Sequence, residues 1–533
     1  MKITFLGHAG VHIAAGATRL VCDPWFSAHG AFLGGWHPLP DNGDCAPLVD
    51  DATHVYVSHG HEDHLDRDVL ASLPAGVPVF LPHFRRPGWR RLLRALGRGL
   101  DVQPLVDGAV VEAGQLRLRL VLSPTARHED SALVVEDRVT GLVAVNLNDC
   151  QLDADQLRAI RAAYPRVDVA LSQYSGATWF PFAYDFPVAD RVAAAAQKKM
   201  NSMRRWHRAM SILQPNTAIA FAGPPMPLDP ALTPFFFGPD SIFTTPSELR
   251  DWLDATDPDL SRRCHIPMPG DVLDLDGEVF VPDPDGPRLD WADLNAYVTE
   301  YAKRRAPAIE AQLAALPSPT PDLFARFAGH FGRLFVAAPS VCRGVDALVA
   351  FDITGAHGGC WLVDFRRLEV TASSDGFGDA GTRPDYRFGI DSRFLPTILS
   401  GGMSFEDFFF SFRFRASRPS IGAYNEELMS VLRFSNPADL VFYGRSLDQE
   451  QQPTSSFRLC TPLGTYDVPD RCPHNGARLG PEDYQPGDHT VVCGQHGWRF
   501  RLPSGECLNG RATLAVREVT AASEPDSVIT KTS

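Results

Sequence analysis

Val57-Ser58-His59-Gly60-His61-Glu62-Asp63-His64, at residues 57–64, ends an apolar run and spells H-x-H-x-D-H, with four potential metal ligands in six residues. Alternate residues of an extended segment share a side, so a loop at a strand end points His59 and His61 at one ion while a turn carries Asp63 and His64 toward another. Mixed imidazole and carboxylate donors accommodate iron as well as zinc. The competing reading, a solvated polar loop, requires this order to fall by chance behind an apolar strand. Outward from this stretch, short β-rich runs at 2–5, 19–22, 54–58, 141–146 and 167–172 mix with helical stretches such as 189–213, the pattern of an α/β layered fold.

The 533 residues exceed the roughly 250–300 at which one hydrophobic core stops growing, so about three domains are expected. Val281-Pro282-Asp283-Pro284-Asp285-Gly286-Pro287 lacks both periodicity and packing surface and reads as a linker. The polar run Asp448-Gln449-Glu450-Gln451-Gln452-Pro453-Thr454-Ser455-Ser456 marks a second boundary. The expected division is 1–285, a metal-binding catalytic α/β domain; 286–450, an α+β domain; and 451–533, a β-type tail. Within 286–450, helical patterns at 291–316 and 322–331 precede strands near 346–354 and 359–365. Phe405, Phe408, Phe409, Phe412 and Phe414 follow, read as core or a domain interface, with a substrate pocket as the alternative.

Composition is that of a globular protein, 44% hydrophobic and 21% charged, with no apolar run near the roughly 18 residues of a membrane span. The N-terminus resembles a strand entering a Gly turn rather than a secretory signal, so the expected location is cytoplasmic. A net charge of −14 without a long Lys/Arg block argues against nucleic acid or anionic lipid as the main ligand and favours a basic redox donor. Ten scattered cysteines argue against a disulfide framework.

Near the C-terminus, Cys472-Pro473-His474 and Cys493-Gly494-Gln495-His496 each offer one thiolate and one imidazole from a turn-forming segment. A Cys2His2 zinc finger pairs like with like, whereas each loop here mixes the two. Mixed loops are what a Rieske [2Fe–2S] cluster requires, two thiolates on one iron and two imidazoles on the other. Gly497-Trp498-Arg499-Phe500 and Gly505-Glu506-Cys507-Leu508 also resemble Rieske domains. High-potential respiratory members brace the two loops with a disulfide. The corresponding positions here resemble Ala477 and Gln495, which form none, so the tail looks like the lower-potential kind that feeds oxygenases.

The 57–64 stretch resembles the metallo-β-lactamase fold, an αββα sandwich, over roughly residues 1–285. Supporting matches are Gly7-His8-Ala9-Gly10, Cys22-Asp23-Pro24-Trp25-Phe26 and Asn148-Asp149. The resemblance implies metal ligation by His59, His61, Asp63 and His64, with Asp149 as bridging carboxylate and Asp63 and Asp149 as catalytic residues. It also implies a further histidine, for which His128 is the candidate, and a late one, where Ala222-Gly223-Pro224-Pro225 has none and His207, on an expected helix surface, is the nearest substitute. Asp385-Tyr386-Arg387-Phe388-Gly389-Ile390-Asp391, with the Phe-rich run, resembles the sterol-carrier-like fold.

The combination narrows the chemistry. A hydrolytic zinc site needs only a Lewis acid, whereas an iron site that activates dioxygen needs electrons one at a time. Taken together the chain resembles the CMP-N-acetylneuraminate hydroxylase family, whose vertebrate members carry the Rieske domain first, whereas here it is last. The resemblance implies a non-haem iron monooxygenase with one or two irons, using O2, a small organic substrate and an external donor such as a ferredoxin, flavoprotein reductase or b-type cytochrome. Matching stretches also include Gln173-Tyr174-Ser175-Gly176-Ala177, and Tyr174 and Trp179 are candidates to line the substrate cavity. A zinc-dependent hydrolase with a redox-sensing Rieske module is the alternative. A non-catalytic electron carrier or lipid-binding protein is a third reading, and the intact H-x-H-x-D-H argues against it. Substrate identity and oligomeric state are left open.

Overall fold

The computed structural model describes residues 1–125, 128–373, 383–450, 455–474, 476–495 and 497–519. They fall into two compact units, the described residues of Met1–Pro419 with Glu427–Gly444, and those of Ser420–Glu426 with 445–519.

The first unit opens with two packed sheets. One contains β1 (Lys2–Gly7), β2 (Gly10–Ala15), β3 (Thr18–Cys22), β4 (His54–Tyr56), β5 (Pro78–Pro82) and β6 (Asp101–Leu105), extended at the other edge by β14 (Val272–Asp274) and β15 (Val279–Val281). The other contains β7 (Val110–Ala113), β8 (Leu116–Leu122), β9 (Ser131–Asp137), β10 (Val143–Asn148), β11 (Val169–Gln173), β12 (Thr217–Phe221) and β13 (Cys264–His265). In β8 the sequence Leu-Arg-Leu-Arg-Leu alternates with the pleat: Leu116, Leu118 and Leu120 are fully buried while Arg117 and Arg119 point to the other face. β10, paired in parallel with β11, is buried along its whole length because both faces are covered.

Ile3, Phe5, Val11 and Ile13 of one sheet meet Leu118, Leu120, Leu133 and Val135 of the other in the central core. Outside the second sheet, helices Ala154–Ala163 and Val188–Leu213 bring Leu157, Ile160, Trp206 and Met210 onto Val145, Ala170 and Ala218. Outside the first, helices Arg67–Ser72 and Pro87–Leu96 bring Leu70, Trp89 and Leu93 onto Val55, Val79 and Leu81. The architecture is the expected αββα sandwich.

A five-stranded sheet follows, of β16 (Leu348–Thr354), β17 (Gly359–Asp364), β18 (Glu369–Ser373), β19 (Tyr386–Asp391) and β20 (Phe414–Ser417), in the order β18-β17-β16-β19-β20. Helix Leu323–Ala337 lays Phe327 and Phe331 on Phe351 and Trp361, completing an α+β segment. Phe405, Phe408, Phe409, Phe412 and Phe414 are all buried, as the core reading expects. This segment is tied to the sandwich: the Ala416 N–H donates to the Ala183 carbonyl at 2.9 Å and the Asp185 N–H to the Ala416 carbonyl at 2.9 Å, so 183–185 prolongs the sheet at β20. Helix Asn295–Ala314 grips the loop after β3, with Arg305 donating to Asp41 at 2.7 Å and the Asp41 N–H donating to the Tyr297 hydroxyl at 2.8 Å.

The second unit holds two three-stranded sheets, β21 (Ser456–Thr461), β22 (Gly464–Pro469) and β26 (Arg517–Glu518), and β23 (Tyr484–Gln485), β24 (Thr490–Val492) and β25 (Arg499–Arg501). Tyr466, Val468, Val491, Phe500 and Leu514 form its core. Among the described residues no helix is long and apolar enough to cross a membrane.

His37, fully buried in the loop gripped by the long helix, has its pKa depressed to about 3 by burial and by the nearby Arg305. His29 and Arg413 act in the same sense and Asp41 opposes them. His330, buried beside Phe331 and Phe405, is likewise held at about 4 by burial and by Arg333. A histidine kept neutral in the fold takes up its proton only on unfolding, so stability is complete above about pH 6.5 and declines as pH falls toward the folded values. Each residue should therefore remove about 2 kcal/mol between pH 7 and pH 5. Urea unfolding at the two pH values, compared for the wild type and His37→Asn, should show a smaller pH dependence in the variant, and an equal one would exclude His37 as a source.

Candidate metal centres

The strand ends of the sandwich carry its ionisable cluster. Four non-glycine residues that follow strands adopt left-handed backbone: His8 after β1 (φ 50°), Asp23 after β3 (φ 43°), Asn148 at the end of β10 (φ 42°) and Ala222 after β12 (φ 55°). Such conformations cost about 1 kcal/mol or more each and persist where surrounding contacts determine them. Here the His8 carbonyl accepts the Ala222 N–H at 3.0 Å and the Asp23 N–H donates to the Tyr56 carbonyl at 2.9 Å. The Asn148 side-chain oxygen accepts the Asp149 N–H at 2.8 Å, while its amide donates to the Ser131 carbonyl at 2.9 Å.

His64 is central and fully buried. Its Nδ1 lies 3.1 Å from Asp23 Oδ2, and Asp23 Oδ1 accepts the Ser58 N–H at 2.7 Å, so one carboxylate positions both a ring and the backbone that carries the motif. His64 Nε2 lies 3.3 Å from Asp149 Oδ1 and 3.7 Å from Asp63 Oδ2. His59 Nδ1 is 3.9 Å from Asp149 Oδ1 and 3.5 Å from Asp130 Oδ1, and its Nε2 is 2.8 Å from His61 Nδ1. His8 Nε2 lies 3.1 Å from Asp63 Oδ2. Two groups thus have donor atoms converging to within 4.8 Å, His59–His64–Asp149 and His8–Asp63–His64.

Burial lowers the His59 pKa well below its ordinary value, whereas for His64 the carboxylates of Asp149, Asp63 and Asp23 outweigh burial and raise it. Burial by itself would raise both Asp63 and Asp149, but the imidazoles hold Asp63 at about 2 and push Asp149 well below the carboxylate range. Asp130 goes the other way, raised by burial and by the Asp149 charge. Among the described residues, His64 Nε2, Asp63 Oδ1 and Asp149 Oδ1 are buried without a hydrogen-bond partner. Buried polar atoms left unpaired are costly, and donors that converge in this way fit a cation.

An aromatic wall stands beside His61. Phe32 and Phe410 place their ring centroids 6.0 and 5.3 Å from its imidazole, and Trp36 and Trp179 pack against Phe410 at 5.5 and 5.0 Å. Phe410 comes from the α+β segment, so the five-stranded module contributes directly to the surroundings of the cluster. Tyr174 is fully buried and, with His8 and Ala222, lines a small pocket on the His8 side.

In the second unit two loops of the same geometry face one another. The Cys472 N–H donates to the Ala477 carbonyl and the Gly476 N–H to the Cys472 carbonyl, each at 2.8 Å. The Cys493 N–H donates to the Trp498 carbonyl and the Gly497 N–H to the Cys493 carbonyl, also at 2.8 Å. Gly476 and Gly497 sit at φ 74° and 72°, which only glycine adopts without strain. Cys472, His474 and Cys493 are buried and converge, with Cys472 Sγ 3.1 Å from His474 Nδ1. The Trp498 ring stacks on His474 at 4.2 Å, and a Cβ added to Gly510 would meet that indole at 2.4 Å.

The Rieske [2Fe-2S] domain family matches residues 465–520, and a β-lactamase superfamily domain matches residues 2–143. This is a metallo-β-lactamase-fold protein with a C-terminal Rieske domain. A Rieske [2Fe-2S] domain supports a [2Fe–2S] cluster and implies an electron-transfer role. A chain of Mycolicibacterium smegmatis, described provisionally as a Rieske 2Fe-2S iron-sulfur protein, is 29% identical over 530 residues, 95% of this chain and 98% of its own length. The cytidine monophosphate-N-acetylneuraminic acid hydroxylase of Danio rerio is 26% identical over 288 residues, 52% of this chain and 46% of its own. Among solved structures, CmlA, a diiron beta-hydroxylase from Streptomyces venezuelae, aligns with 48% of this chain and 51% of its own at 12% identity and a TM-score of 0.33.

The metallo-β-lactamase-fold domain brings His59, Asp63, His64 and Asp149 into the two converging groups, and His61 reaches them through its 2.8 Å contact with His59. His128 lies in the loop before β9, two residues from Asp130, and belongs to neither converging group. His207 pairs with Asp257 at 3.0 Å on its helix, away from both groups. In the Rieske domain, His496 lies outside the described residues. Three site residues received no role from the sequence: His8, Asp23 and Asp130. His8 and Asp23 sit inside quoted stretches and Asp130 lies two residues after His128, and the available signal was an ionisable residue directly after, or just before, an apolar strand.

Asp23 should act through His64. A carboxylate hydrogen-bonded to a metal-binding imidazole fixes its tautomer and raises its basicity. Asp23→Asn should weaken metal binding by about 10- to 100-fold with the fold retained, as read by competition with a chromophoric chelator. Unchanged affinity would remove Asp23 from the support of the site.

Proposed function

We propose that the chain is a Rieske-coupled non-haem iron monooxygenase that hydroxylates a small organic substrate with dioxygen and electrons relayed through the [2Fe–2S] cluster. The observation that carries this reading is the presence in one chain of a buried imidazole–carboxylate cluster and a Cys/His cluster of Rieske type. The likeness to the Danio rerio hydroxylase over about half of this chain supports it.

In this reading His59, His61, Asp63, His64 and Asp149 hold one or two irons, His128 is an auxiliary ligand, and Cys472, His474, Cys493 and His496 hold the [2Fe–2S] group. Bound there, iron supplies the activation of dioxygen and the cluster supplies electrons singly. The chain's own residues do the rest. Asp23 and Ser58 orient His64, and Asp63 and Asp149 keep negative charge at the cluster. Phe32, Trp36, Trp179 and Phe410 exclude water beside His61 and take the apolar part of the substrate. Residues 1–285 form the catalytic domain, 286–450 its substrate-side companion and 451–533 the electron-transfer domain. An external donor, a ferredoxin, flavoprotein reductase or b-type cytochrome, reduces the cluster in the cytoplasm.

A zinc-dependent hydrolase is the second reading, favoured by 29% identity over 122 residues to a metal-dependent hydrolase of Methylobacterium nodulans. Anaerobic purification followed by iron, acid-labile sulfide and low-temperature EPR measurement separates the two. The oxygenase should contain iron beyond the cluster's two, and His474→Ala should stop multiple turnover while a chemically reduced single turnover survives. Zinc alone in the N-terminal site, with ester hydrolysis indifferent to Cys472→Ser, would reject the oxygenase.

A further inference from the structure

We infer that His8 is a metal ligand, completing with Asp63 and His64 a position separate from the one held by His59 and His61. The inference rests on the reading of the cluster as a metal centre and specifies how its donors are shared.

An imidazole nitrogen has one lone pair and serves one ion, so His64 Nε2 cannot belong to both converging groups at once. Its Nδ1 is already committed to Asp23 and Ser58. Asp149 has two oxygens and sits between the groups, with Oδ1 3.3 Å from His64 Nε2 and 3.9 Å from His59 Nδ1. The division that uses each donor once puts His59 and His61, whose Nε2 and Nδ1 are 2.8 Å apart, on one ion and His8, Asp63 and His64 on the other. Asp149, nearer to His64 Nε2 than to His59 Nδ1, is exclusive to neither.

Three further observations single out His8. Its side chain is 3% exposed, so an imidazole has been brought into the interior with Nε2 aimed at Asp63. It occupies left-handed backbone at the β1–β2 turn, a conformation kept by the hydrogen bond from Ala222, so the ring is held at an energetic cost. Asp63 Oδ1 and His64 Nε2, the donors that would share its ion, are buried without hydrogen-bond partners among the described residues.

Ala222-Gly223, where a late histidine was sought and not found, instead supplies the N–H that anchors the His8 backbone.

The test is metal content of the full-length protein as purified. Metals per chain are measured by mass spectrometry, with cluster iron subtracted from the acid-labile sulfide at one iron per sulfide. The wild type should hold two ions beyond the cluster. His8→Ala should hold one, with unchanged sulfide and unchanged circular dichroism, and His207→Ala should keep two. His8→Gln, which retains hydrogen-bonding capacity, gives the same reading if the alanine variant folds poorly. Two ions retained in the His8 variants, or both lost from a folded variant, would overturn the separate position, as would a single ion in the wild type. A wild type with no ion beyond the cluster would instead overturn the metal-centre reading itself.

Discussion

The constraint on which this structure turns is the burial of like charges. Asp23, Asp63, Asp130 and Asp149 are gathered around His59 and His64 in a volume with little water, where each uncompensated carboxylate costs several kcal/mol. Imidazoles relieve part of that cost, which is why Asp63 and Asp149 stay ionised while Asp130 is pushed toward its protonated form. No packing gain explains such a cluster, since apolar residues of the same volume would be cheaper there. The strained residues at the ends of β1, β3, β10 and β12 add to the cost, and all lie within the same set of strand ends. Stability has been given up at one edge of an otherwise apolar sandwich in order to hold donor atoms in fixed places.

The two centres are built on opposite economies. The first is assembled from four strand ends far apart in the chain, and its geometry exists only once both sheets have formed. The second is two short loops, each closed by hydrogen bonds between residues a few positions apart and by a glycine in left-handed backbone. Local closure makes the second recognisable from seven residues. The tryptophan stacked on His474, wedged against Gly510, shows that even a local site relies on one contact from outside its loops.

What could be read in advance follows from that difference. H-x-H-x-D-H and the mixed Cys/His loops carry their spacing in the chain, and the alternation in β8 and the apolar run of β10 carry the sandwich. His8, Asp23 and Asp130 are single ionisable residues 35 or more positions from the motif they serve, and only the closing of β1, β3 and β9 onto the same edge brings them there. Nothing in the Phe-rich run separates Phe410 from its buried neighbours. Helix Phe405–Phe410 turns Phe408 and Phe409 into its own core and leaves Phe410 to face His61, a distinction made by the register of a single helical turn.

Phe410 has a practical consequence. A protein engineer who wanted the first cluster on a smaller chain would cut at the proline-rich linker near residue 285, where periodicity ends. The truncated piece would keep every donor atom of the first cluster and lose one of the rings that shelter it, together with the Arg305 and Arg413 clasps on the loop bearing Phe32 and Trp36. Such a piece would keep its donors yet leave the edge beside His61 open to bulk water and adventitious ligands. The roof of this workshop is supplied by the neighbouring room.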